Sequence, residues 1–299
     1  MKKTISLLSG ILIAIFIILS LLDKSEYAVE KRLWKIQMDF TQLIRDPKIV
    51  PEKKYDEVVH EYQQVIKQFP RSKLTPGIYL QIGRVYVLKR DYSKARESFQ
   101  EIIQRYSDKP TLCAIALLNI GRTYGEEKNK AEALKVLNDV INTYPTTPVG
   151  LNTPLYIANY YRKLNDMDGS KSALRDAATF YKKISSENPD SMIEFDALRL
   201  LAATHLAQKN WEECVQVLGD ALLKFSSSKY LTRARAGLII NSINTVSILQ
   251  LKDFDRPARI YQQIIDKDPS QPLSHYLVAV VHGLEQLKKQ STTTIKKNE

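Results

Sequence analysis

The sequence predicts an all-α fold, a solenoid of about six helix-turn-helix repeats with an N-terminal transmembrane helix before it and a C-terminal capping helix after it. Three observations predict this. A short apolar pattern occurs twice between Tyr79 and Tyr144, with corresponding residues 38 apart. Residues 4–22 carry no charge and are mostly Ile and Leu. Glycine (10) and proline (12) are sparse in a chain of 299 residues, and the prolines fall mostly where helices end, so connections are short.

Taken in order, residues 1–25 read as a membrane segment. Lys2 and Lys3 lead into the uncharged run, which has close to the length of about 20 residues that spans a bilayer core. It reads as an uncleaved signal-anchor. The alternative is a cleaved signal that releases a secreted protein, for which Ser20 would end the removed piece but Ile18 and Leu21-Leu22 make a poor site. No cysteine lies near it to accept a lipid. Lys2, Lys3 and the amino terminus favour an N-terminus held in the cytoplasm, whereas Lys24, Lys31, Arg32 and Lys35 pull the other way. The expected topology is single-pass in the cytoplasmic (inner) membrane with the repeats facing the periplasm or exterior; a cytoplasm-facing adaptor is the inverted alternative.

Residues 27–45 form the first soluble helix, with Leu33, Ile36, Phe40 and Leu43 on one face and Trp34 flanking it. The two regular copies follow. Tyr79, Ile82, Gly83 and Tyr86 precede Ala95 and Phe99; Leu117, Ile120, Gly121 and Tyr124 precede Ala133, Leu137 and Pro145. Spacings of three, one and three place the first four positions on one helical face. The glycine admits a second helix, the alanine is its small counterpart, and Phe99 or Leu137 fills the seam. One such pair cannot bury its apolar face alone, so pairs must stack.

These residues resemble the tetratricopeptide repeats, whose pattern is an aromatic, Leu-Gly, Tyr, Ala, a large apolar residue and Pro. The resemblance covers residues 27–288 and implies a right-handed superhelix. The second-helix half of the pattern recurs six times: Val58/Tyr62/Val65/Pro70, Ala95/Phe99/Ile102/Ser107, Ala133/Leu137/Val140/Pro145, Ala177/Tyr181/Ile184/Pro189, Cys214/Leu218/Ala221/Ser226 and Pro257/Tyr261/Ile264/Pro269. No copy has the opening Trp, and only two have Gly at the small position. The fourth unit is expected to begin near Pro154, with a second helix over 168–186 that starts about seven residues late. The fifth covers 191–225, and the sixth has a long first helix over 230–251 and a second over 256–266. An amphipathic helix over 273–288 caps an array spanning 26–289, and the polar stretch 290–299 is expected to be disordered.

A net charge of +11 admits nucleic acid, anionic membrane or acidic protein partners. The lysines are scattered, and no basic run interleaves with aromatics, so the chain reads as having a solvated basic exterior and no nucleic-acid partner. Cys113 and Cys214 read as small buried hydrophobes. His60, His205, His275 and His282 form no metal-spaced set, there is no phosphate-binding glycine loop, and Ser226-Ser227-Ser228 lacks a nucleophile-elbow context. No catalytic residue, metal, cofactor or small-molecule substrate is therefore expected.

What the resemblance implies instead is a concave groove lined by first helices, which holds a partner protein or peptide. Carried over residue by residue, its lining is Arg84, Asn119, Arg122, Asn159, Arg162 and Arg199. Arginine suits the task because its fork grips a carboxylate in two contacts. The expected function is a non-enzymatic scaffold, similar to the anchored repeat proteins of the bacterial envelope, with an extended acidic or C-terminal segment as its ligand.

Overall fold

The computed structural model describes residues 25–45 and 50–298, and these form helices and turns with no strand among them. The predicted membrane segment and the disputed signal cleavage lie outside the described residues. Within them, no helix is long and apolar enough to cross a bilayer. Among the described residues thirteen α-helices run in chain order: α1 (Glu26–Arg45), α2 (Glu52–Gln68), α3 (Thr75–Lys89), α4 (Tyr92–Arg105), α5 (Pro110–Glu126), α6 (Lys130–Thr143), α7 (Pro148–Lys163), α8 (Met167–Glu187), α9 (Met192–Gln208), α10 (Trp211–Lys224), α11 (Arg233–Thr245), α12 (Asp255–Lys267) and α13 (Pro272–Asn298). A π-helical turn, Val246–Gln250, continues α11.

The second-helix pattern identifies the even-numbered helices α2 to α12. All of its small, bulky and apolar positions are buried, Val58 to Ile264 included. Each of these helices ends two residues before the predicted stop: Gln68 before Pro70, Arg105 before Ser107, Thr143 before Pro145, Glu187 before Pro189, Lys224 before Ser226 and Lys267 before Pro269. Pro257 fits its small slot because it lies in the first turn of α12, where a missing N–H breaks no helical bond.

The turns inside the second to sixth pairs follow one construction. Arg90, Lys128, Asn165, Lys209 and Lys252 adopt left-handed backbone, with φ between 55 and 64°. The next residue is Asp or Asn in each case, and its N–H donates back to the carbonyl of Tyr86, Tyr124, Tyr161, His205 or Ser247 at 2.9–3.0 Å. That bond closes the first helix in the manner of a Schellman motif. The same residue then starts the second helix: Asp91 accepts from the Lys94 N–H (3.2 Å), Asn129 from Glu132 (3.2 Å), Asp166 from Gly169 (2.8 Å) and Asp253 from Arg256 (2.9 Å).

The contacts divide the chain into two compact units, Met1–Asp139 and Val140–Glu299, where the sequence predicts a single array. In the first unit, α1, α2 and α3 share one core containing Phe40, Tyr62 and Val85, and α4 and α5 share another around Phe99, Ile102 and Ala116. The glycines act as the sequence predicts. A Cβ on Gly83 would overlap the Phe99 ring, and one on Gly121 would come 3.2 Å from Leu137.

In the second unit, Leu151, Tyr181 and Leu200 centre one core, and Phe195, Leu222, Ile243 and Tyr261 centre the other. Helix α13 adds Leu277 and Leu284 to the latter, so it covers the last pair as expected. It also continues to Asn298, across the stretch read as disordered. An already formed helix adds a hydrogen bond for each further residue, which carries α13 on past Lys289.

Other boundaries move for local reasons. The fourth pair begins at Pro148, not near Pro154, because Thr147 caps α7 by accepting from the Gly150 N–H (3.0 Å) and Pro148 takes the first helical position. Its second helix is not late. It starts on register at Met167 and is longer, 21 residues against 14 in α4, α6 and α10. The residue meeting Ala158 of α7 is Ser170, whose hydroxyl donates to the Ala158 carbonyl (3.0 Å). Ala177 sits two turns further along the same face, which is why it is buried as well. Helix α11 starts at Arg233 because Thr232 caps it, accepting from the Arg235 N–H at 3.4 Å.

Candidate functional site: a groove lined by first helices

In the first unit, α1, α3 and α5 bring Phe40 and Ile44, Arg84, Val87 and Leu88, and Asn119, Arg122, Thr123 and Glu126 around one groove of about 420 Å³, with Phe99 of α4 at its base. These are the first helices of three successive pairs. The floor is apolar, with Phe40 and Phe99 buried and Ile44 half exposed at 51%.

Three of the six predicted residues meet here. Arg84 and Arg122 each follow the glycine of the helix seam, which turns their side chains away from the second helix and leaves them exposed. Neither has a hydrogen-bond or ion-pair partner among the described residues. Glu126, one turn from Arg122, makes no ion pair with it among the described residues. Asn119 is half-buried and donates its side-chain N–H to the Ile115 carbonyl (2.9 Å), leaving its amide oxygen as the group it can offer. Beneath Arg84, burial pushes the Tyr62 hydroxyl up to about 12, against the opposing pull of the Arg84 guanidinium. That hydroxyl has no partner among the described residues.

The other three lie in the second unit and are already engaged or spread apart. Arg162 donates to the Asn159 side-chain oxygen (2.7 Å), so these two satisfy each other. Arg199 pairs with Asp196 one turn away (3.5 Å) and borders a separate groove of about 240 Å³ between α9, α10 and α11. That groove is apolar, with Leu206 and Leu238 44% and 70% exposed. Its second arginine, Arg235, donates to the Tyr230 carbonyl (2.8 Å) and lies over the Phe195 ring.

Sequence reasoning did not find Phe40, Ile44, Val87, Leu88 or Glu126 as groove residues. A signal existed for Ile44: it is an apolar residue beside the buried stripe of Ile36, Phe40 and Leu43, not on it. Nor did it find the ion pair of the second unit that joins a buried carboxylate, Glu194, to the exposed Lys224. Glu194, 7% exposed, accepts from Lys224 (2.7 Å) and from the Asp190 N–H (2.6 Å). Among the described residues no group of His, Cys, Asp and Glu is placed to hold a metal. Cys113 and Cys214 are buried and unbridged, and burial pushes the Cys214 thiol up to about 11.

The tetratricopeptide-repeat family model matches residues 78–109 and 115–147, the second and third helix pairs. These two segments are similar to tetratricopeptide repeats. The chain is similar to a tetratricopeptide repeat protein from Parabacteroides merdae at 12% identity, over 90% of this chain and 91% of that one, with a TM-score of 0.38. It is similar to BtubC (BKLC) from P. vanneervenii at 9% identity, over 88% and 92% respectively, with a TM-score of 0.39. It is similar to MamA at 17% identity, over 60% of this chain and 93% of that one, with a TM-score of 0.33. No curated protein matches.

Proposed function

We propose that this chain is a non-catalytic, membrane-tethered scaffold of the bacterial cell envelope, built throughout from tetratricopeptide-type pairs. Its first unit captures an extended acidic segment, or a terminal carboxylate, of a partner protein. The observation that carries this reading is the pair of exposed arginines, Arg84 and Arg122, which have no hydrogen-bond or ion-pair partner among the described residues and stand above the apolar floor of Phe40, Ile44 and Leu88. A carboxylate supplies the two-contact partner that a guanidinium lacks here, and a neighbouring apolar side chain of the ligand fills the floor. The tether rests on the uncharged run at residues 4–22, behind Lys2 and Lys3, with the repeats on the far side of the membrane.

A photo-crosslinker at Ile44 in the full chain tests the groove. The expected result is a crosslinked partner that disappears in the Arg84→Ala, Arg122→Ala double variant while helical content is kept. Unchanged crosslinking in that variant contradicts the proposal. External protease on spheroplasts tests the topology: digestion of the repeats is expected, and protection until lysis would place them in the cytoplasm.

A further inference from the structure

Helix α1 is apolar on two opposite faces. Val29, Ile36, Phe40 and Leu43 are buried against α2 and α3, while Tyr27, Trp34 and Met38 are 70%, 68% and 53% exposed. At about 100° per residue these three side chains fall within an arc of about 40°, directly opposite the buried stripe. Twelve large hydrophobic side chains are exposed among the described residues, and four of them, with Ile44, are on this helix. The rotation of α1 is fixed by its neighbours: Glu26 accepts from the Ser72 hydroxyl (2.7 Å), and Arg32 donates to Gln68. The stripe is therefore held outward.

Two features say what covers it. Lys31 and Lys35 lie along one edge of the stripe, Glu30 along the other, and Arg45 falls in line with it further along the helix; none of the three cations has an ion-pair partner among the described residues, so the face is apolar with a net basic border. The uncharged run ends at Leu22, and residues 23–26 can span no more than about 14 Å before Tyr27. From these we infer that the Tyr27, Trp34 and Met38 face of α1 lies on the bilayer surface beside the anchor, with its aromatic rings at the level of anionic lipid headgroups and Lys31 and Lys35 reaching the phosphates. Trp and Tyr concentrate at that boundary because each ring is apolar with one polar edge, and long lysine stems carry their charge out to the headgroups. This inference rests on the tethered reading proposed above. It adds that α1 is pinned flat to the membrane, which brings the groove bordered by Phe40 and Ile44 of the same helix close to the bilayer.

The test uses the full chain carrying Trp211→Phe, which leaves Trp34 as the sole tryptophan, in mixed phosphatidylcholine–phosphatidylglycerol vesicles. Phospholipid brominated near the headgroup end of its acyl chains is expected to quench most of the Trp34 emission, and aqueous iodide little of it. Tyr27→Ser with Met38→Ser is expected to reverse that order without loss of helical content. Protein that stays with the vesicles in alkaline carbonate while iodide, and not brominated lipid, quenches Trp34 overturns this inference and leaves the tether standing. Shielding of Trp34 from both quenchers would mark a protein surface, such as a second copy of the chain, and overturns it too. Release of the protein by carbonate overturns the tether and this inference together.

Discussion

The two units differ in how their grooves are built and in what their arginines touch: three first helices, α1, α3 and α5, line the groove of the first, and α9, α10 and α11 that of the second. In the first unit Arg84 and Arg122 project over an apolar floor with no partner among the described residues. In the second, Arg162 is taken by Asn159, Arg199 by Asp196 and Arg235 by the Tyr230 carbonyl. Position within a repeat thus places an arginine on the groove side, but nearby acceptors decide whether its guanidinium is already engaged, and of these three acceptors Asp196 alone carries the opposite charge. Among the described residues the first groove holds two cations with no hydrogen-bond or ion-pair partner, Arg84 and Arg122, whereas the second is lined by the exposed Leu206 and Leu238.

The seams inside the first unit give the largest expected effects. Gly83 has no room for a Cβ against the Phe99 ring, whereas Gly121 has Leu137 at 3.2 Å, a flexible chain that can give way. Gly83→Ala is expected to cost about 2–3 kcal/mol and Gly121→Ala about 1 kcal/mol or less. Urea denaturation of both variants checks the order, and equal losses would mean that the two seams are not distinguished by their closest side chain.

A smaller contrast separates the buried tyrosines of the two units. The Tyr181 hydroxyl donates to the Leu151 carbonyl (2.7 Å), while the Tyr62 hydroxyl has no partner among the described residues. Tyr181→Phe should cost about 1 kcal/mol and Tyr62→Phe close to nothing, because a satisfied hydrogen bond is lost in one and an unsatisfied group removed in the other. Thermal melts of the two variants suffice.

The smallest effect is one of pH. Burial lowers the pKa of His205, with Lys182 adding to the shift, so its protonation is less favourable in the folded chain than in the unfolded one. Its contribution is present above the unfolded pKa of about 6.5 and is lost as pH falls below that value. His205→Gln should flatten the fall in stability as pH drops below about 6.5. An unchanged profile would remove His205 as the cause.

The pairing of helices was legible because burial imposes spacing. Val58, Ala95, Ala133, Cys214 and Pro257 share little chemistry, yet the intervals to Tyr62, Phe99, Leu137, Leu218 and Tyr261 do not vary. The turns were legible in principle and were missed, because the left-handed positions hold Arg90, Lys128, Lys209 and Lys252 where glycine is the usual marker. The Asx residue after each was the readable signal. The fourth pair misled because Ala177, one heptad beyond Ser170, lies on the same face and satisfies the same spacing. At the groove, sequence located Arg84, Asn119 and Arg122. It had no means of showing that Arg162 and Arg199 are spoken for, since Asn159 and Asp196 become partners only in the folded side-chain geometry.

The most direct measurement compares two double variants, Arg84→Ala with Arg122→Ala and Arg162→Ala with Arg199→Ala, by fluorescence anisotropy against a pool of acidic peptides with free C-termini. At about 1.5–3 kcal/mol for each charge-assisted contact, the first variant should lose at least tenfold in affinity. The second should bind as the unaltered chain does. Equal losses in the two, or none in the first, would contradict the assignment of the ligand to the first groove.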